Sequence, residues 1–211
     1  IYIYSLVPEF MLRFIAWLLV HSVYRLQQKG LTNIPEEGAA VLVCNHVSFV
    51  DPIVIAAASR RPIRFVMDYR IYRTPLINFV FRHMHAIPIA PARDDAAMME
   101  AAFEAVASAL EAGELVAIFP EGKITDTGEL YPFRPGVQRI VGRTPVPVIP
   151  MALQGLWGSF FSRKDGPAMS KPLRRGMFSR IALVVGTAIV PAAATPEHLQ
   201  EVVAGLRGEW K

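Results

Sequence analysis

Apolar and polar residues follow two different rhythms along this chain, and turn residues separate the segments. Short apolar runs predict buried strands, and longer stretches with apolar positions three or four apart predict helices. We expect strands over residues 39–44, 63–67, 86–89, 115–119, 146–153 and 181–185, and helices over residues 52–59, 72–81, 94–112, 137–142 and 196–207. Short strands that alternate with helices predict an α/β domain with a mostly parallel central sheet flanked by helices.

The most apolar part of the chain lies before residue 25. Four residues interrupt it: Pro8, Glu9, Arg13 and His21. A membrane-spanning helix needs about 20 nearly uninterrupted apolar residues, so we do not expect this segment to cross a bilayer. We predict an amphipathic helix over about residues 9–27 in the membrane interface, with Phe10, Phe14 and Trp17 against lipid. The alternative is a helix that packs on the domain surface.

This interpretation divides the chain into an interfacial helical segment over residues 1–28 and one α/β domain over residues 29–211. The sequence begins with Ile1 and not with Met, which suggests a piece of a longer protein. Of its 211 residues, 53% are hydrophobic and 19% are charged. That composition excludes a disordered chain, which could not bury enough apolar surface. The single cysteine, Cys44, excludes a disulfide framework.

The formal net charge of +4 is unevenly distributed. Residues 58–82 and residues 163–180 each carry six basic residues against one aspartate, with aromatic and methionine side chains between them. Such surfaces suit anionic lipid headgroups or an acidic carrier protein. We expect four arginines to contact an anionic membrane: Arg70, Arg73, Arg174 and Arg175. A solvated basic face is the alternative, and no nucleic-acid partner is expected because no nucleic-acid-binding motif occurs.

A first polar cluster follows the predicted strand 39–44, at the end of the strand where chemistry in α/β sheets is usually found. His46 is a candidate general base, because imidazole, with a reference pKa of about 6.5, accepts a proton near neutrality. Asp51 comes five residues later, so a folded loop would bring its carboxylate to one imidazole nitrogen. Alternatively, Asp51 only caps the next helix.

A second polar cluster follows the predicted strand 115–119. Glu121 and Gly122 come first, Lys123 is next, and Arg134 lies further along. A carboxylate beside glycine, with basic residues nearby, suits a substrate that carries a hydroxyl and an anionic group. Taken alone, the segment could equally be a plain turn.

Together the two clusters resemble the glycerolipid (lysophospholipid, or 1-acylglycerol-3-phosphate) acyltransferase family. The resemblance rests on Asn45-His46-x4-Asp51, on Phe-Pro-Glu-Gly over residues 119–122, and on Val-Pro-Val-Ile-Pro over residues 146–150. It extends over about residues 24–190. It is closest to the branch of 2-acylglycerophosphoethanolamine acyltransferases, whose Phe-Pro-Glu-Gly-basic-Ile-Thr pattern matches residues 119–125.

The resemblance implies a glycerol-3-phosphate acyltransferase-like fold. It also implies acyl transfer from an acyl carrier protein or coenzyme A thioester to the free glycerol hydroxyl of a lysophospholipid. His46, oriented by Asp51, would deprotonate that hydroxyl. Seven residues would contact substrate: Asn45, Ser48, Glu121, Gly122, Lys123, Arg134 and Arg93. The thioester is a co-substrate, and neither a metal nor any other cofactor is implied.

The same branch is often fused to a transporter-like membrane domain or an acyl-activating domain. The resemblance therefore implies a position at the cytoplasmic face of the bacterial inner membrane, peripheral or tethered through such a fusion. Many phosphatidate-forming members read Glu-Gly-Thr-Arg-Ser where this chain reads Glu-Gly-Lys-Ile-Thr, and carry an arginine directly after the middle strand, where this chain has Ala90. We therefore expect a diester acceptor, such as the ethanolamine form, in place of lysophosphatidic acid.

Two other classes of function fit parts of the pattern. Ser48 lies two residues after His46, so it could be the nucleophile of a lipid-ester or thioester hydrolase, although no Gly-x-Ser-x-Gly elbow occurs. A non-catalytic lipid- or carrier-binding domain is the third class. Cys44 is expected to be buried and unreactive, and His83 and His85 lack the spacing of metal ligands and are expected to pack.

Overall fold

The computed structural model describes residues 2–75, 77–164, 166, 168 and 179–210, with the backbone alone over residues 2–7. The helices in this part of the chain are α1 (Tyr2–Val23), α2 (Asp51–Ala58), α3 (Tyr69–Tyr72), α4 (Asn78–His83), α5 (Ala96–Glu111), α6 (Gly136–Arg143) and α7 (Pro196–Arg207). The strands are β1 (Tyr24–Lys29), β2 (Ala40–Cys44), β3 (Ile63–Asp68), β4 (Ile87–Ile89), β5 (Leu115–Ile118), β6 (Val148–Gln154) and β7 (Ser179–Val185).

All seven strands join one sheet in the order β1-β7-β6-β2-β5-β3-β4. Five of the six pairings are parallel, and only β6 and β7 run antiparallel. The predicted α/β class with a mostly parallel sheet is therefore confirmed. Parallel neighbours end at the same edge of a sheet, so the loops after β2, β5 and β3 are brought side by side.

Helices cover both faces of the sheet. Every residue of β2 is buried, and alternate residues point to opposite faces. On one face Leu42 belongs to a core with Val20 of α1 and Ile55 of α2. On the other, Val41 belongs to a core that α5, α6 and α7 complete, including Leu199. A strand buried on both faces explains the uninterrupted apolar run of β2.

The structure corrects the N-terminal helix prediction. The helix covers Tyr2–Val23 and not residues 9–27, and Tyr24–Lys29 forms strand β1, which pairs in parallel with β7. The predicted domain boundary after residue 28 falls inside this strand. β1 is an edge strand with mostly exposed side chains, so its polar sequence carries no alternating apolar signal. Its pairing with a distant strand decides its conformation.

A second correction concerns the predicted helix over residues 72–81. Two short helices replace it, with α3 ending at Tyr72 and α4 beginning at Asn78. Pro75 lies in the break, and proline disfavours helical backbone at the preceding residue and removes a donor. The remaining predicted elements are present, with ends displaced by one or two residues at most positions.

Helix α1 leaves a large apolar surface exposed. It packs against α2, and Arg13 donates hydrogen bonds to the carbonyls of Ser59 (2.9 Å) and Arg60 (2.8 Å), just beyond the end of α2. Among its apolar side chains, Phe10 is 71% exposed, Phe14 55% and Trp17 45%. Within the described residues, none of the helices combines the length and apolar character needed to cross a membrane.

Candidate active site

Two loops meet at the carboxyl ends of the central strands. β2 lies between β6 and β5 and runs parallel to both. The loop after β2 carries His46, and the loop after β5 carries Glu121, 75 positions further along the chain. The sheet therefore unites the two polar clusters at the edge where α/β sheets place their chemistry.

His46 and Asp51 form a close pair across the first loop. The Nδ1 atom of His46 lies 2.8 Å from Oδ2 of Asp51. The imidazole stacks on the ring of Phe119, at the end of β5, with 4.1 Å between ring centroids and 18° between planes. Its side chain is 18% exposed while that of Asp51 is fully buried. The pair thus has one buried end and one end that opens to the surface.

The Asp51 carboxylate also organises the loop that contains it. Oδ2 accepts hydrogen bonds from the backbone N–H of Val47 at 2.7 Å and of Ser48 at 2.9 Å. Three donors converge on one oxygen of a residue in the first turn of α2, and both features stabilise negative charge there. No partner of Oδ1 is found among the described residues. Asp51 is therefore not a helix cap: Val50 occupies the cap position, and the Asp51 carboxylate links the imidazole to its own loop.

Asn45 extends the pairing between β2 and β6 through its side chain. Its Oδ1 accepts from the N–H of Leu153 at 2.8 Å, and its Nδ2 donates to the carbonyl of Leu153 at 3.1 Å. Asn45 is completely buried. This amide fixes the start of the His46 loop to β6, which differs from the predicted contact with substrate.

Glu121 contacts the same loop from the other side. Its Oε1 accepts from the backbone N–H of His46, and its Oε2 accepts from that of Tyr131, both at 2.7 Å. Only 2% of the residue is exposed. Burial raises the pKa of the Glu121 carboxyl, an effect that the two N–H donors and nearby His46 partly oppose.

Gly122 and Arg134 are in close contact. Gly122 has a φ of +70°, and a Cβ built on it would lie 2.7 Å from the guanidinium carbon of Arg134. The backbone N–H of Arg134 donates to the carbonyl of Pro120 at 3.0 Å, which holds the two segments together. Glycine therefore serves both the left-handed backbone and the close approach of the cation.

Lys123 lies over an aromatic ring. Its Nζ is 3.7 Å from the ring centroid of Tyr131, a cation–π distance. The hydroxyl of Tyr131 donates to Asp126 and lowers the pKa of that carboxyl. Lys123 and Arg134 are thus the basic side chains that the structure places beside Glu121 and Gly122 in the second loop.

The contacts of Ser48 and Cys44 are both internal. Ser48 is fully buried, and its hydroxyl oxygen accepts from the N–H of Val50 at 3.2 Å. This burial argues against a nucleophilic serine. Cys44 is 1% exposed, and burial raises the pKa of its thiol well above the usual value, as expected for an unreactive core cysteine.

The other predicted basic contacts have different partners from this cluster or fall outside the described residues. Arg93 is 84% exposed and its Nε lies 3.4 Å from Asp94. Arg70 also pairs with Asp94, at 2.6 Å, and both Arg70 and Arg73 lie over the ring of Tyr69. Two further predicted membrane contacts fall outside the described residues, namely Arg174 and Arg175.

His83 packs within its own helix. Its Nδ1 lies 2.8 Å from the carbonyl oxygen of Phe79, a hydrogen-bond distance, and its imidazole packs on the ring of the same residue. In the part of the chain that the structure describes, no three or more His, Cys, Asp or Glu residues are grouped to hold a metal ion.

Sequence reasoning missed four residues of the site. The stacking of Phe119 on His46 could not be predicted, because only the structure shows that β5 lies beside β2. Leu153 bonds Asn45 and Tyr131 bonds Glu121 through backbone groups, which leave no signal in residue type, although the Tyr131 ring also lies under Lys123. Thr125 donates its N–H to the carbonyl of His46 at 2.9 Å, again through the backbone.

Comparison with known proteins agrees with this geometry. A model of the family described as Acyltransferase matches residues 25–154. That match spans more than half of the chain, and the chain therefore belongs to the acyltransferase family. His46, Asp51 and Glu121 all lie within the matched region.

Several similar curated proteins are named 1-acyl-sn-glycerol-3-phosphate acyltransferase. The chloroplastic 1-acyl-sn-glycerol-3-phosphate acyltransferase of Brassica napus is 28% identical over 148 residues, which is 70% of this chain and 42% of that protein. The 1-acyl-sn-glycerol-3-phosphate acyltransferase of Borreliella burgdorferi is 24% identical over 124 residues, which is 59% of this chain and 49% of that protein. The chain thus spans less than half of the length of these relatives.

A solved structure shares the fold. The 1-acyl-sn-glycerophosphate acyltransferase of Thermotoga maritima superposes with a TM-score of 0.68 at 20% identity, covering 96% of this chain and 76% of that one. The predicted acyltransferase-like fold is confirmed by this likeness.

Replacement of Gly122 tests the close contact in the second loop. Gly122→Ala should destabilise the protein by about 1–2 kcal/mol, because an L-residue at a positive φ clashes with its own backbone, and it should displace Arg134. The free energy of unfolding from denaturant titration measures the first effect. Gly142→Ala is the matched control: this glycine is in α6, where an added Cβ would meet open space, and alanine should stabilise the protein by up to about 1 kcal/mol. Equal effects of the two variants would contradict the argument.

Proposed function

We propose that this protein transfers a fatty acyl group from an acyl thioester to the free glycerol hydroxyl of a lysophospholipid. The observation that carries the proposal is the 2.8 Å contact between His46 Nδ1 and the buried Asp51 carboxylate, in a chain of the acyltransferase family. The names of the relatives support a glycerolipid acceptor. The thioester of acyl carrier protein or of coenzyme A is the donor.

His46 acts as the general base. With Nδ1 committed to Asp51, the imidazole carries its proton on that nitrogen and offers Nε2 to the acceptor hydroxyl. The hydroxyl proton moves to Nε2 as the oxygen attacks the thioester carbonyl. The positive charge that develops on the ring is stabilised by the Asp51 carboxylate, and stacking on Phe119 keeps the ring in one orientation.

The intermediate is a tetrahedral oxyanion, whose central carbon carries the acceptor oxygen, the negatively charged former carbonyl oxygen, the acyl chain and the sulfur. Its collapse breaks the carbon–sulfur bond and releases the thiol, which takes the proton from Nε2. The products are a diacyl phospholipid and free carrier thiol, and His46 returns to its starting state. No group of the protein is covalently modified, which is consistent with the burial of Ser48 and Cys44.

Lys123 and Arg134 bind the phosphate of the acceptor. Both are cations of the second loop, next to the residues that contact the His46 loop. Two cations can neutralise either the monoester of lysophosphatidic acid or the diester of an ethanolamine lysolipid. The named relatives are 1-acyl-sn-glycerol-3-phosphate acyltransferases, whose acceptor is a monoester. For this chain we propose the diester form as the preferred acceptor, because residues 123–125 and Ala90 depart from the phosphatidate-forming pattern.

Helix α1 docks the protein on the membrane that holds its acceptor. The N-terminal apolar surface, formed by Phe10, Phe14 and Trp17, is exposed to solvent. Large exposed apolar patches mark interaction sites, and aromatic rings suit the headgroup region. Nearby, α4 contacts α1 and exposes Phe79. Arg70 and Arg73 add attraction to anionic lipid at the cytoplasmic face.

Removal of the base tests the reaction. His46→Ala should lower kcat by about 100-fold to 10,000-fold, because general-base catalysis contributes that much. Asp51→Asn should also lose most activity. The neutral amide cannot stabilise the charge on the imidazole, and it has only one oxygen to accept the hydrogen bonds of His46, Val47 and Ser48. The measurement is diacyl product formed from acyl thioester with and without lysophospholipid. Ser48→Ala is the control and should keep most activity; acyl release that needs Ser48 and no acceptor would support a hydrolase instead.

Charge reversal tests the phosphate site. Lys123→Glu or Arg134→Glu should raise the acceptor KM at least about tenfold, the effect of roughly 1.4 kcal/mol, and change the thioester KM less. Arg25→Glu, on the distant edge strand β1, is the matched control. The panel of acceptors should include lysophosphatidic acid and the ethanolamine lysolipid. An equal rise in both Michaelis constants would argue against phosphate binding by these residues.

Loss of the aromatic anchors tests membrane docking. The double variant Phe10→Ser and Phe14→Ser should sediment less with phosphatidylglycerol vesicles than the parent protein. Val190→Ser is the matched control, because Val190 is 65% exposed and lies outside α1. Binding should weaken as salt rises, since screening shortens the reach of the arginines. Vesicle binding that depends on neither lipid charge nor salt concentration would contradict a role for the basic residues.

A further inference from the structure

The backbone of His46 is held on both sides by one neighbouring loop. Its N–H donates to Oε1 of Glu121 at 2.7 Å, and its carbonyl accepts from the N–H of Thr125 at 2.9 Å. The side chain of the same residue is held by Asp51 and Phe119. Both polar backbone groups of His46 therefore have a partner that comes from outside its own loop.

Both oxygens of the Glu121 carboxylate are engaged by backbone donors. Oε1 faces the N–H of His46, and Oε2 faces the N–H of Tyr131. With 2% of the residue exposed, little of the carboxylate surface is available to a ligand. A buried carboxylate is costly unless its oxygens are bonded, so these two contacts are what allows Glu121 to lie there.

The loop that supplies these contacts is itself anchored. The hydroxyl of Thr125 accepts from the N–H of Gly128 at 3.0 Å and donates to the carbonyl of Glu129 at 2.7 Å. Arg207, at the end of α7, donates to the carbonyl of Gly128 at 2.9 Å. The support for His46 is thus connected to the helical layer on the opposite face from α2.

We propose that Glu121 is a positioning residue for His46 and not a ligand of the acceptor. This inference rests on the proposed function of His46 as the base. Glu121 acts through the peptide of His46: it fixes the backbone from which the imidazole extends, while Asp51 fixes the ring. Lys123 and Arg134, on the surface side of the same loop, are left to bind the acceptor.

Glu121→Gln separates this role from substrate binding. The amide keeps the shape of the side chain but replaces one oxygen with an NH2 group. That NH2 group then faces the backbone N–H of His46 or of Tyr131, so two donors meet and one hydrogen bond is lost. Displacement of a reacting group by about 1 Å can cost on the order of 100-fold in rate. We expect kcat to fall about 10-fold to 100-fold, with the Michaelis constants of acceptor and thioester little changed.

Two control variants distinguish positioning from binding. Glu197→Gln makes the same chemical change at an exposed carboxylate in the first turn of α7 and should leave kcat unchanged. Arg134→Glu should show the reverse pattern, with a raised acceptor KM. If Glu121→Gln raises the acceptor KM and keeps kcat, the positioning role is overturned. The same holds if Glu121→Gln lowers the free energy of unfolding and leaves kcat unchanged.

A spectroscopic measurement tests the same inference without turnover. In the wild-type protein, the amide resonances of His46 and Tyr131 should shift together as Glu121 gains its proton on acidification, since both amides donate to that carboxylate. The shared midpoint should lie above the ordinary pKa of a glutamate. Independent midpoints, or an insensitive His46 amide, would contradict the inference. Because this result needs no substrate, an inactive wild type would count against the proposed function alone.

Discussion

One buried carboxylate oxygen, Oδ2 of Asp51, determines the shape of the site. It accepts the Nδ1 contact of His46 and the backbone N–H groups of Val47 and Ser48. A buried charge without partners would cost several kcal/mol, so the loop folds around the oxygen and the oxygen fixes the loop. The same bonds that make the burial of Asp51 tolerable therefore hold the imidazole in one orientation.

The position of β2 in the sheet extends this arrangement beyond its own loop. Because β2 lies between β6 and β5, the chain that leaves it has partners on both sides. Asn45 bonds the main chain of β6, and Glu121, after β5, bonds the peptide of His46. An edge strand would offer only one such neighbour. A central parallel strand thus provides the rigid support that catalytic geometry requires.

The elements that sequence reasoning identified best are those whose pattern is local. The run Ala40–Cys44 is apolar at each position and forms a strand buried on both faces, and α5 begins at Ala96 after Asp95, which caps it. Strand β1 escaped prediction because its polar residues pair with β7, far along the chain. The break between α3 and α4 was missed although Pro75 marked it.

By itself, the sequence determined the chemistry available: a histidine and an aspartate five residues apart after a buried strand, and an acidic and basic cluster after another. Family membership could be inferred from these motifs. Only the tertiary structure decided how Asn45 and Glu121 use their polar atoms, because their partners are backbone groups of distant strands and loops, which residue types do not encode. The sequence states directly which chemical groups are present, whereas the hydrogen-bond partners of those groups depend on which strands lie side by side in the sheet.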